Sequence, residues 1–116
     1  MYTLKFTKDA IEDIRRLPKN VRNSLKKEFR AKLAVDPSAC SIGFSEPLQG
    51  WRSFHWGRYR VVFKVYDDLR AIAVVGVGQR RPGYESDVYR KLEILARKGK
   101  LAERILRTLR VFSTAA

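Results

Sequence analysis

Apolar and polar residues alternate at the start of the chain: Tyr2, Leu4 and Phe6 are separated by Thr3 and Lys5, the period of a strand with one buried face. From Lys8 the spacing changes. Ile11, Ile14 and Leu17 recur at helical intervals, and Pro18, which has no amide hydrogen to donate, ends a short first helix. Val21, Leu25, Phe29 and Leu33 then recur every fourth residue, which predicts a second helix with one buried stripe and with Arg22, Lys26, Lys27, Arg30 and Lys32 turned largely outward. Asp36-Pro37-Ser38 ends it. The stretch from there to Gly50 carries Gly43 and Pro47 without periodicity and reads as a loop.

From Trp51 the pattern is that of a sheet. Tyr59, Val61, Phe63 and Val65 fall on one face of a strand, and Arg60, Val62, Lys64 and Tyr66 on the other. Asp67-Asp68 supplies a turn, Ala71 to Val77 forms the returning strand, and Trp51 to Trp56 is expected as the third, outer member. After Pro82-Gly83, the stripes Leu92, Leu95, Ala96 and then Leu101, Ile105, Leu109, Phe112 flank Gly99, so the C-terminus is one broken helix or two short ones. The second stripe needs a cover: the protein's own sheet or first helices, a helix of a partner protein, or a second copy of the chain. The expected fold class is α+β, with two N-terminal helices packed on a small, mainly antiparallel sheet and a C-terminal helical extension. A single domain over residues 1–96, with residues 97–116 as its extension, suits 116 residues.

Charge narrows the function classes. Twenty-five Lys and Arg against twelve Asp and Glu give a formal net charge of +13, an excess commonly retained for a polyanionic partner such as nucleic acid or an acidic protein. The longest apolar run, the seven residues Ala71 to Val77, is far short of a membrane-spanning helix, and Met1 to Phe6 does not read as a signal peptide. Cys40 is the only cysteine and His55 the only histidine. That inventory excludes an internal disulfide and a Cys/His zinc site, and favours a reducing cytoplasm and a protein working without metal or other cofactor.

Leu48-Gln49-Gly50, Gly57-Arg58-Tyr59-Arg60 and Val77-Gly78-Gln79-Arg80 stand at the corners of the expected sheet, and Leu17-Pro18-Lys19-Asn20-Val21-Arg22 lies between the helices. In this order they resemble the RelE/ParE toxin superfamily, over roughly Tyr2 to Leu92. The resemblance implies a toxin of a type II toxin–antitoxin system, held inactive by a small cognate antitoxin. RelE-like members cut mRNA, usually in the ribosomal A site, whereas ParE-like members poison DNA gyrase.

RNA cleavage without metal proceeds by attack of the ribose 2′-oxygen on the adjacent phosphorus, so the site must move two protons and neutralise an overcharged phosphorane. Arginine suits that last duty, because its planar fork matches phosphate oxygens two at a time. The resemblance assigns Arg60 and Arg80 to the scissile phosphate. They share a face if the hairpin loop holds an odd number of residues, such as Asp67 to Leu69; a loop of four substitutes Arg81. His55 and Arg52 compete for proton transfer, where relatives often carry a lysine. An imidazole, titrating near neutrality, is the better base. Tyr84 and Tyr89 compete for the tyrosine that stacks on a base or orients the ribose, with Tyr84 slightly favoured for its nearness to Arg80. Lys19, Arg22, Lys26, Lys27, Arg30 and Arg81 are expected to contact RNA phosphates.

Overall fold

The computed structural model describes residues 1–45, 48–97 and 99–100. Strand β1 (Thr3–Phe6) leads into helix α1 (Lys8–Arg15), and the buried Thr7 hydroxyl caps that helix by accepting the Ala10 N–H at 3.2 Å. Helix α2 (Lys19–Glu28) begins directly after Pro18 and passes into a π-helical turn over Phe29–Leu33. The turn has a reason in the sequence: residues spaced by four drift about 40° per step around an α-helix of 3.6 residues per turn. Widening the last turn brings both Phe29 and Leu33 back to the core.

Strands β2 (Ser41–Gly43), β3 (Arg52–Trp56), β4 (Tyr59–Tyr66) and β5 (Ala71–Gln79) complete a five-stranded sheet of order β1-β5-β4-β3-β2, and helix α3 (Val88–Arg97) follows. Only the β1–β5 pair is parallel; the other three pairs are antiparallel. Because β5 lies between β1 and β4 and is covered on both sides, Ala71 to Val77 is buried throughout instead of alternating. Two expectations are corrected here. The segment read as a loop up to Gly50 contains β2, too short at three residues to leave a periodic signal, and β2 therefore displaces Trp51 to Trp56 from the sheet edge.

Each face of the sheet has its own core. On one, α1, α2 and the π-helical turn press Ala10, Leu25, Phe29 and Leu33 onto Phe54, Val61, Phe63 and Val74. On the other, Val88 and Leu92 of α3, with Leu48 from the β2–β3 connection, cover Val62, Ala73 and Val75. No helix among the described residues is long and apolar enough to cross a membrane. The stripe Leu101, Ile105, Leu109 and Phe112 lies outside the described residues.

Candidate functional site

The α3 face is where polar chemistry gathers, and two details of strand geometry put it there. Strands β3 and β4 are joined by Gly57 and Arg58, with Gly57 at φ +58°, a conformation that favours glycine in a two-residue hairpin turn. This turn sets Trp56 opposite Tyr59 and His55 opposite Arg60. At the other end of β4, a four-residue connection, Asp67–Arg70, sets Tyr66 opposite Ala71. Continued unbroken, that register would bring an odd-numbered residue of β5 beside Arg60, as the sequence argument anticipated for a loop of four. A β-bulge intervenes. Phe63 pairs with Val74 and Val62 with Gly76, leaving Val75 as the extra residue, and from there even-numbered residues oppose even-numbered ones. Arg60 consequently lies opposite Gly78. Arg80 follows two residues on, its backbone N–H donating to the Arg58 carbonyl at 2.9 Å.

Glycines let α3 come close. A Cβ on Gly76 would stand 3.0 Å from a Leu92 methyl, and one on Gly78 would stand 3.3 Å from Val88 Cβ. The first turn of α3 thereby brings Tyr89 onto the sheet, with its hydroxyl 2.7 Å from Ser53 Oγ and 3.2 Å from His55 Nε2. The Phe44 ring meets Tyr89 edge-on at 4.9 Å. Over the tyrosine ring, 4.5 Å from its centroid, sits the Arg80 guanidinium, which is also paired with the Asp87 carboxylate. His55, Tyr89 and Arg80 thus form a continuous row of contacts, with Arg60 beside His55 as its cross-strand partner.

Arg60 Nη1 donates to the carbonyls of Gly57 and Tyr59 at 2.8 and 2.9 Å, which holds the guanidinium against its own turn. Desolvation, and secondarily the positive charge of Arg60, hold His55 below the ordinary imidazole pKa, so the ring is neutral at neutral pH and able to accept a proton. The arrangement can therefore offer a base, a phenol and two guanidinium groups to an anionic chain. No group of three or more His, Cys, Asp or Glu among the described residues is placed to hold a metal ion.

The remaining sequence candidates lie elsewhere. Arg52 pairs with Phe63, on the opposite face from His55, and its guanidinium is tied to Ser41 Oγ at 2.6 Å and to the Ser38 and Ser41 carbonyls. Tyr84 is 66% exposed on the turn after β5, so Tyr89 is the tyrosine that meets His55 and Arg80. Arg81 is exposed beside it and donates from Nε to Gln79 Oε1 at 3.1 Å. Lys19, Arg22, Lys26 and Lys27 of α2, with Arg30 just after it, belong to the helical layer on the far side of the sheet. Sequence reasoning passed over Ser53 and Asp87. Ser53 carries no signal, whereas Asp87, just before an apolar helical stripe, has the signature of a helix N-cap.

The family described as ParE toxin of the type II toxin–antitoxin system, parDE, matches residues 4–84. No curated protein matches the chain by sequence. Among solved structures, the chain is similar to the RelBE2 toxin–antitoxin complex of Mycobacterium tuberculosis, with TM-score 0.65 and 24% identity over 68% of this chain and 91% of that one. It is also similar to the intact Escherichia coli RelBE complex, with TM-score 0.58 and 25% identity over 70% and 99% of the two chains. For the isolated E. coli RelE toxin the TM-score is 0.59, with 24% identity over 72% and 88%. With the family match spanning most of the described fold, the chain belongs to the ParE toxin family of type II toxin–antitoxin systems, within the RelE/ParE superfamily.

Proposed function

We propose that this toxin is a metal-independent, ribosome-dependent mRNA endoribonuclease whose site is the row Arg60, His55, Tyr89 and Arg80. The observation that carries the reading is the bulge-corrected register, which gathers both arginines, the one histidine and a tyrosine on a single face of the sheet. Neutral His55 accepts the 2′-hydroxyl proton as that oxygen bonds to phosphorus. The imidazolium so formed returns a proton to the 5′-oxygen as its bond to phosphorus breaks, leaving a 2′,3′-cyclic phosphate and a 5′-hydroxyl. Tyr89 orients the ring or the ribose, and the two guanidinium groups stabilise the charge that develops on phosphorus. Arg52 and Tyr84 stand outside this row, and Tyr84 and Arg81, on the adjoining turn, are placed to meet flanking nucleotides. Lys19, Arg22, Lys26, Lys27 and Arg30 dock against ribosomal RNA phosphates.

A cognate antitoxin neutralises the toxin in the cytoplasm. The surface best suited to it is a groove of about 1010 Å³ between β1, α1 and α2, whose lining includes Leu4, Ile11, Ile14 and Phe29 together with Arg22 and Lys26. Apolar residues beside cations suit an acidic amphipathic helix.

The test adds purified toxin to programmed ribosomes and maps the mRNA ends. Cleavage that Arg60→Ala suppresses supports the reading; intact message under conditions where another ribosome-dependent toxin cuts removes it. Two observations favour a second reading, gyrase inhibition without chemistry. The matching family is ParE, and the Arg60 guanidinium is turned toward its own hairpin carbonyls. Inhibition of purified gyrase in a supercoiling assay, with RNA left intact, selects it.

A further inference from the structure

The buried carboxylate of Asp87 sits where three segments meet. It accepts from the Arg80 guanidinium at the exit of β5, from the Arg81 backbone N–H in the turn, and from the Arg90 backbone N–H at 3.3 Å in the first turn of α3. The Asp87 carbonyl accepts the Lys91 N–H at 3.1 Å, so the residue is the N-cap of α3. Capping the Arg90 N–H alone does not require an aspartate, since one oxygen of Asn, Ser or Thr satisfies it; accepting the Arg81 N–H on the second oxygen does. The carboxylate adds a counter-charge for a guanidinium whose other constraint is the Tyr89 ring.

We infer that Asp87 is a positioning residue: clamped between this carboxylate and the Tyr89 ring, the Arg80 guanidinium keeps one orientation and presents its remaining donors to a phosphate. Exposure separates the partners. Asp87 is 2% exposed and cannot meet a ligand, whereas 34% of the Arg80 side chain remains exposed, so the pair holds the arginine without sealing it. An arginine on a mobile stem loses side-chain entropy when it grips a phosphate, and prior clamping removes most of that cost. The same carboxylate ties Arg80 to the start of α3, which also carries Tyr89. Movement of that helix would therefore disturb both groups together.

The inference rests on the phosphate-binding role proposed for Arg80. Asp87→Asn keeps one oxygen for the Arg90 N–H, removes the charge and turns its NH2 toward the Arg81 N–H, so the melting temperature should fall somewhat. Single-turnover cleavage on programmed ribosomes, measured well below that temperature, should fall about tenfold, with the half-saturating ribosome concentration within about twofold. In Arg80→Ala, adding Asp87→Asn should change nothing further, because residues acting through one group are not additive. Cleavage by Asp87→Asn equal to or faster than wild type, or additive losses in the double variant, overturns the role. A second measurement does not depend on cleavage: inorganic phosphate is titrated while the Arg80 Nε–H resonance is followed by NMR. Wild-type protein should respond and Asp87→Asn should respond at about tenfold higher phosphate. Equal responses overturn the positioning role, and wild-type protein that responds to phosphate yet cuts no RNA overturns only the nuclease reading.

Discussion

The two faces of the sheet share five strands and differ in what covers them. On the α1/α2 face, Phe54, Val61, Phe63 and Val74 meet the apolar stripes of the two helices, and Arg22 and Lys26 line the groove between those helices and β1. On the α3 face, Gly76 and Gly78 replace bulky residues and a single helix lies close; its Tyr89 covers the buried Ser53, and His55 and Arg60 lie at the rim beyond it. A face that closes the main core has no room for unpaired polar groups. One that is only half covered can hold them at its rim, and a sheet places them to within a residue's register.

Substitutions on the two faces should then separate stability from activity. The largest effect is expected for Phe63→Ala on the α1/α2 face, where truncating a fully buried ring costs about 3–5 kcal/mol by denaturant unfolding. The fraction that still folds should cut normally. Gly76→Val on the other face forces α3 away from the sheet and should cost about 1–3 kcal/mol. This variant should lose cleavage as well, because Tyr89 and Asp87 move with α3. Normal activity in Gly76→Val would break the link between that helix and the site.

Arg60→Ala, at the rim, should leave the melting temperature near wild type while cleavage falls at least about tenfold, which corresponds to more than about 1.4 kcal/mol of transition-state stabilisation. An equal loss in ribosome affinity would assign Arg60 to docking. Arg22→Ala combined with Lys26→Ala, in the lining of the groove between β1, α1 and α2, should weaken ribosome binding and flatten its salt dependence without changing kcat at saturation.

The smallest effect concerns pH. His55 is held below its ordinary pKa in the folded protein, so it contributes nothing to the pH dependence of stability above about pH 6.5. Below that, the unfolded chain takes up a proton that the folded chain resists, and stability falls. Cleavage should decline on the same acid side as the base is lost. Arg60→Ala, by removing one of the two causes, should move that limb toward higher pH.

Much of the fold was legible in the chain because its signals are local. The alternation of Tyr2, Leu4 and Phe6, the stop at Pro18, the stripe from Val21 to Leu33 and the β4–β5 hairpin each follow from residue spacing, and each has its element in the structure. Strand β2 was not legible, since three residues followed by an aperiodic connection carry no period. The β4–β5 hairpin reaches the expected parity by another route: in place of an odd loop it has a loop of four and a bulge at Val75 that restores the alignment. Tyr84 looked closer to Arg80 in sequence, but the reversal of the chain between Arg81 and Asp87 brings Tyr89 back onto the arginine instead.

By itself the sequence determined the family, the order of the longer strands and helices and the residue types able to handle an anionic substrate, because composition and spacing act within a few residues along the chain. Tertiary structure alone decided which of those residues meet. A bulge sets which arginine shares a face with Arg60, two glycines set how near α3 lies, and a buried aspartate ties Arg80 to the helix that carries Tyr89. Each of these depends on contacts between separate elements, and in the sheet a one-residue change of register would reverse the outcome.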